Sequence, residues 1–196
     1  MRLIFFALLF LTNLMNTFGQ SKPDSSKHLV FKGVPIDGTL EVYVSKMKES
    51  GFTLKGSRDG TAVLAGDFAS YKDCSVEVST LKQKNLVSKI AVKFPGREDW
   101  SSLSSNYFEL KKLLTEKYGE PADFEETFQS YEPRDDGSKF HHVLLGSCKY
   151  YSTYETPKGA IRLSIENDDR RTGFIKLVYS DKVNSQVIKK DALDDL

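Results

Sequence analysis

GVPIDGTLEVYVSKMKESGF, running from Gly33 to Phe52, reads as one complete helix with its own start and stop signals. Asp37 or Thr39 can cap the start by offering a side-chain oxygen to the unpaired amides of the first turn. Leu40, Tyr43, Val44 and Met47 then recur at i, i+3, i+4 and i+7, an apolar stripe along one side of a helix. Glu41, Ser45, Lys46, Lys48 and Glu49 take the other side. Gly51 suits the left-handed position after the last turn, with Phe52 folding back on Met47 as a Schellman ending requires. The glycines ahead of the stripe do not make the glycine-rich loop that phosphate binding at a helix start needs. The stretch is structural: it lays one stripe on a sheet.

A second helix reads from Trp100 to Pro121. Asp99 is its N-cap candidate, and Leu103, Tyr107, Leu110, Leu114 and Tyr118 form its stripe with Trp100 at the start. Gly119 closes it and Pro121 prevents its continuation. The remaining segments read as strands. Asp59-Gly60 supplies the positive φ angles of a tight hairpin, and Ala62 to Phe68 follows as a strand with Gly66 marking a bulge. Cys74, Val76 and Val78 share one face of the next strand, and Ile90, Val92 and Phe94 one face of another, ended by Pro95-Gly96. Connections this short call for antiparallel pairing, which gives four strands in the first half. In the second half Phe124 to Tyr131 reads as a strand and Pro133 to Gly137 as a turn. Lys139 to Gly146 suits either a short helix or a strand, and we read it as a strand running on through Cys148 to Glu155. Pro157-Lys158-Gly159 is a hairpin; Ile161, Leu163 and Ile165, then Ile175, Leu177 and Tyr179, mark the inner faces of the last two strands. From Asp181 the chain is polar and expected to fray.

The expected fold is therefore α+β, two helix-plus-antiparallel-sheet halves in tandem with the helices packed on the sheet in two layers. The halves fall at residues 29–98 and 99–182, with a polar tail at 183–196. An internal duplication is expected on element order alone.

The chain has 196 residues, enough for one substantial core or two small ones. Its formal net charge is +1, and no Lys/Arg cluster stands out, so the electrostatic footprint of a nucleic-acid binder is missing. Met1 to Gly19 has the layout of a secretory signal peptide: Arg2, an apolar run from Leu3 to Leu11, then small residues at Thr17 and Gly19 suited to cleavage before Gln20. The run is short of the about 20 residues that a membrane anchor needs, and no cysteine lies near for lipid attachment. Residues 20–28 read as a flexible lead-in. The expected location is the periplasm or the cell exterior, with no membrane span in the mature chain.

Cys74 and Cys148 are the only cysteines, one in each half. In an oxidising compartment an even count points to a bridge, closing a loop of roughly 75 residues worth on the order of 4 kcal/mol; the alternative is two separate buried thiols. Neither cysteine has the flanking base or helix start of a catalytic thiol. His141 and His142 are adjacent, so on a strand they point to opposite faces and cannot share a metal. Paired acids occur at Glu125-Glu126, Asp135-Asp136 and Asp168-Asp169, without the spacing of a calcium loop. No metal, cofactor or catalytic residue is assigned. The candidate binding residues are Tyr150, Tyr151 and Tyr154, either packing at a sheet face or an exposed aromatic platform for a partner protein or a sugar.

The pattern G-V-P-I-D-G-T-L from Gly33 to Leu40, the helix ending at Gly51-Phe52, and the run from Asp67 to Val78 resemble small exported proteins of Bacteroidetes-type bacteria, a group without assigned function. Y-G-E-P at Tyr118 to Pro121 and G-A-I-R-L-S-I at Gly159 to Ile165 are similar to theirs. Helix-plus-sheet halves in tandem also resemble the β-lactamase-inhibitor-protein-like fold, which implies protein binding; no functional residue of that fold carries over. The expected function is an exported binding or interaction module for an envelope or extracellular protein or glycan, using a sheet face or the concavity between the halves. The alternative is a hydrolase of envelope or extracellular polymers, with acids brought together by folding.

Overall fold

Thr39, rather than Asp37, starts the first helix: its side chain accepts from the Val42 amide. The computed structural model describes residues 27–81, 84–129, 131–168 and 171–194. The leader at residues 1–19 and most of the lead-in lie outside them.

A two-residue hairpin, β1 (Val30–Phe31) and β2 (Val34–Pro35), precedes helix α1 (Leu40–Glu49). The helix ends as its sequence requires. Phe52 N donates to Met47 O and Gly51 N to Lys48 O, with Gly51 at φ 92°, the two bonds of a Schellman motif. Leu40, Tyr43, Val44 and Met47 are all buried.

Strands β3 (Thr53–Arg58), β4 (Thr61–Phe68), β5 (Tyr71–Leu81) and β6 (Lys84–Lys93) follow as an antiparallel meander, with a register shift between Gly66 and Phe68. Helix α2 (Trp100–Tyr118) starts at Asp99, whose carboxylate accepts from Ser102 N at 2.7 Å, and it buries Trp100, Leu103, Tyr107, Leu110 and Leu114. Then come β7 (Asp123–Phe128), helix α3 (Asp136–Leu144), β8 (Cys148–Thr156), β9 (Gly159–Asp168), β10 (Thr172–Asp181) and helix α4 (Lys182–Asp194).

The long strands form one antiparallel sheet in the order β3-β4-β5-β6-β10-β9-β8-β7. Directly paired residues share a face. Leu64, Val76, Val92, Leu177, Leu163 and Ser152 therefore form a buried row across six strands. Helix α1 covers this face over β3 to β6, and α2 covers it over β8 to β10. The opposite face carries Glu77, Lys89, Lys93, Lys176, Arg162 and Lys149, and no helix covers it among the described residues.

This sheet corrects the expectation of an α+β fold built from two helix-plus-sheet halves at 29–98 and 99–182. The protein is mostly β, and the two meanders fuse where β6 pairs with β10 from Lys93↔Lys176 to Lys89↔Ser180. Apart, β6 and β10 would each present a row of unpaired amides and carbonyls; together they leave edges only at β3 and β7. The buried apolar side chains of both parts, Ala91 and Phe174 apart, then join one core.

Three further expectations are corrected. Lys139 to Gly146 is not a strand but helix as far as Leu144 and then a turn: Asp135 accepts from Ser138 N and so starts α3, and Phe140 and Val143, one turn apart, are its buried pair. The tail at 183–196 is helix α4 as far as Asp194, because buried Asp181 caps it by accepting from Asn184 N at 2.9 Å. Cys74 and Cys148 are not bridged. Strands β5 and β8 stand four strand spacings apart, about 19 Å, where a disulfide needs Cα atoms within about 7 Å.

Burial pushes the Cys74 thiol up to about 11 and that of Cys148 up to about 12. An unfolded chain ionises these thiols at lower pH than the folded one. Their contribution to stability is thus full below the ordinary thiol value of 9.0 and is lost as pH rises through 11 to 12. Thiol titration of unreduced chain should find two thiols after denaturation and very slow reaction in the native state at pH 8; a denatured titre of zero would mean a bridge. A second test concerns Tyr43, whose buried hydroxyl is without a hydrogen-bond partner among the described residues. Replacing it, Tyr43→Phe, should raise the unfolding free energy in urea by about 1 kcal/mol, since an unsatisfied buried hydroxyl costs that much. A loss of similar size would show that the hydroxyl is bonded.

Candidate functional site

The β1–β2 hairpin, the end of α2 and the β8–β9 turn leave a gap over the end of β10. It is a cleft of 610 Å³. Leu29 and Val30 form one wall, Phe68 at the end of β4 another, and Tyr118 at the end of α2 a third, with Tyr179 of β10 beneath and Pro157 of the β8–β9 turn at the side. Lys32, Lys117 and Lys158 complete the lining, together with Gly33 and Thr156.

Each wall is held from behind. Phe31 points inward from the hairpin, stacked on Phe68 with ring centroids 5.0 Å apart and edge-on to Tyr179 at 5.4 Å. The hairpin itself is pinned by buried Asp181, which accepts from Leu29 N at 2.8 Å and faces His28 Nδ1 at 3.0 Å. His28 Nε2 lies 3.6 Å from Asp37 Oδ2, so the imidazole is bracketed by two carboxylates. Asn184 donates from its amide to Ile36 O and Val87 O and ties the same hairpin to α4 and β6. Gly159 sits under the cleft with φ 146°; a Cβ there would stand 2.1 Å from Ser180 O and 2.9 Å from Leu29 Cδ1, so only glycine lets the β8–β9 turn approach this closely.

Chemically the cleft is an apolar pocket with ammonium groups in its lining and no carboxylate. Burial pushes the Tyr179 phenol up, and the neighbouring Tyr118 and Tyr43 hydroxyls add to the rise. Thr156 Oγ1 is fully engaged, donating to Gly159 O and accepting from Lys158 N. The lining contains no pairing of a nucleophile with a base.

The tyrosines picked out from sequence do not form a common surface. Tyr150 is buried beneath α2, edge-on to Trp100 at 4.9 Å and to Tyr107 at 5.9 Å, and burial pushes its phenol up to about 12. Tyr154 is 1% exposed, donating to Lys111 O and paired with Thr115 Oγ1. These two are core, which corrects the aromatic platform. Tyr151 alone faces the other way, in a shallow depression of 410 Å³ beside Glu125, Lys149 and Glu166, with the Arg162 guanidinium 3.8 Å from its ring centroid.

The paired acids separate as well. Glu125 and Glu126 take opposite faces of β7 and meet Lys149 and Lys111 respectively. Asp135 caps α3, while Asp136 accepts from Trp100 N and Ser101 Oγ at the start of α2. Asp168 meets Lys93 at 2.5 Å, and Asp169 lies outside the described residues. Hydrogen bonds to helix-start amides hold Asp99 and Asp135 below the usual carboxylate range, as capping groups are held. His141 and His142 lie on α3, not a strand, and His142 pairs with Ser147 Oγ at 2.8 Å. Among the described residues no group of three or more His, Cys, Asp or Glu is placed to hold a metal ion, and no helix is long and apolar enough to cross a membrane.

Sequence reading missed the cleft. Tyr118 and Tyr179 were legible as stripe and strand-face residues and Lys158 as part of a hairpin, yet nothing local joins them. The Lys32-Gly33 pair, with φ 50° and 80°, was the one local signal of a tight turn presenting a lysine. Compared with known proteins, the chain matches no family model, no curated protein and no solved structure.

Replacing Tyr150 by Ala should cost about 3 kcal/mol or more in urea denaturation, as large aromatic truncations in a core do. Tyr151→Ala should stay within about 1 kcal/mol of wild type. Equal losses would put both rings in comparable surroundings.

Proposed function

We propose that this chain is an exported binding module of the periplasm or cell exterior that holds a small, largely apolar ligand in the cleft between the β1–β2 hairpin, the end of α2 and the β8–β9 turn. The observation that carries the reading is the cleft itself. Its 610 Å³ lies within the about 300–1,000 Å³ common for small-molecule sites, and its walls are mainly apolar and aromatic. The frame behind it is stiff, because Asp181 and Asn184 clamp the hairpin that forms one wall, and a preformed site loses little freedom on binding. Export follows from the leader read at Met1 to Gly19.

Hydrolysis is the weaker reading. Glycoside cleavage needs two carboxylates flanking the bond, whereas no carboxylate lines this cleft and the paired acids serve as caps and ion-pair partners.

Val30→Trp places an indole in the cleft and tests the reading directly. Against a panel of small apolar compounds, the wild-type chain should show a raised melting temperature with at least one. The variant should keep its unliganded melting temperature and lose the shift. A panel without any shift, or an equal shift in both proteins, would overturn the proposal.

A further inference from the structure

We propose that the ligand of this cleft is an apolar monoanion, a single hydrocarbon body ending in a carboxylate or similar group, with its head at the lysines and its body against Phe68, Tyr118 and Tyr179. The inference rests on the cleft being a binding site and adds the chemistry of the ligand. Three lysines line the cleft from three separate elements: Lys32 from the tip of the β1–β2 hairpin, Lys117 from the last turn of α2, and Lys158 from the β8–β9 turn. No Asp or Glu is among its lining residues, in a chain whose net charge is only +1.

The contrast with other lysines sharpens the point. Lys93, Lys111, Lys149 and Lys176, around the rest of the sheet, each meet a carboxylate within 4 Å. Among the described residues neither Lys32 nor Lys117 has an ion pair, and Lys117 Nζ lies over the Tyr118 ring, 5.1 Å from its centroid. An ammonium over a ring at the mouth of an apolar cavity can keep that contact while its remaining N–H groups face a bound anion. The placements are also fixed by the backbone. The left-handed turn at Lys32 presents its side chain at the hairpin tip, and Lys158 is held by its amide to Thr156 Oγ1 and by its carbonyl from Lys182 N. Long lysine stems can lie along apolar walls and leave the charge at the rim. A cation of the same shape would meet the like charges of Lys32 and Lys117 there.

Titration calorimetry on the purified chain, with dodecanoate, dodecanol and dodecyltrimethylammonium each below its micelle concentration, tests this. Dodecanoate should bind one per chain, about tenfold more tightly than dodecanol, the ratio that a few part-exposed charge pairs supply. The cation should not bind. The double variant Lys32→Gln, Lys117→Gln should bring dodecanoate down to the affinity of dodecanol at an unchanged unliganded melting temperature, and Lys32→Arg, Lys117→Arg should keep most of the preference. Equal affinity for acid and alcohol would overturn the anion inference while leaving the cleft a binding site; binding of none of the three would remove both. Co-sedimentation with phosphatidylglycerol vesicles without any uptake of monomeric dodecanoate would overturn it in favour of a membrane surface.

Discussion

The pairing of β6 with β10 is the constraint on which the architecture depends. It sets Val92 against Leu177 and Ile90 against Tyr179, so the buried rows of two meanders continue into each other. Strand β10, the last among the described residues, becomes a central strand with neighbours on both sides. Its inward side chains stand where the ground covered by α1 ends and that covered by α2 begins. The cleft is a geometric result of this join. The hairpin and Phe68 from one part and the end of α2 and the β8–β9 turn from the other meet over β10, and Tyr179 is both core residue and cleft floor.

Asp181 closes the end of that gap. A carboxylate with no solvent exposure is tolerable only when its oxygens are well supplied with donors. Here the Leu29 and Asn184 amides and the His28 ring supply them. One side chain thus finishes β10, begins α4 and holds down the hairpin. Asn184, next in the same turn, carries the tie to the carbonyls of Ile36 and Val87.

What could be read from the sequence was local. The stripes of both long helices, the Schellman ending at Gly51, the cap at Asp99 and the bulge near Gly66 depend on residues a few positions apart, and all stand in the structure. The β6–β10 ladder depends on residues far apart in sequence, and antiparallel alternation looks the same whether a strand ends a sheet or joins two. Helix α4 was hidden for a related reason: its polar composition reads as a fraying tail, and the cap that starts it is supported by residues near the other end of the chain. The tyrosines of β8 divided by simple alternation, Tyr150 and Tyr154 inward and Tyr151 outward, but only the position of α2 says which side is the interior. No short window contains the cleft, since its lysines come from turns that have nothing to do with one another in sequence.

The clamp on the hairpin has a consequence for the order in which the molecule assembles. Leu29 and Asp181 are 152 residues apart, and Ile36 and Asn184 are 148 apart, among the most distant contacts in the chain. Closing so long a loop has an entropic cost that local turns do not meet, so such contacts come late unless others shorten the path. The α1 meander can form as a unit, but the cleft wall waits for the last strand and the helix after it. A chain still emerging from a ribosome has no cleft until β10 and α4 have been made, whatever part of it has folded. The cleft comes into being only when β10 and α4 take their places beside the hairpin.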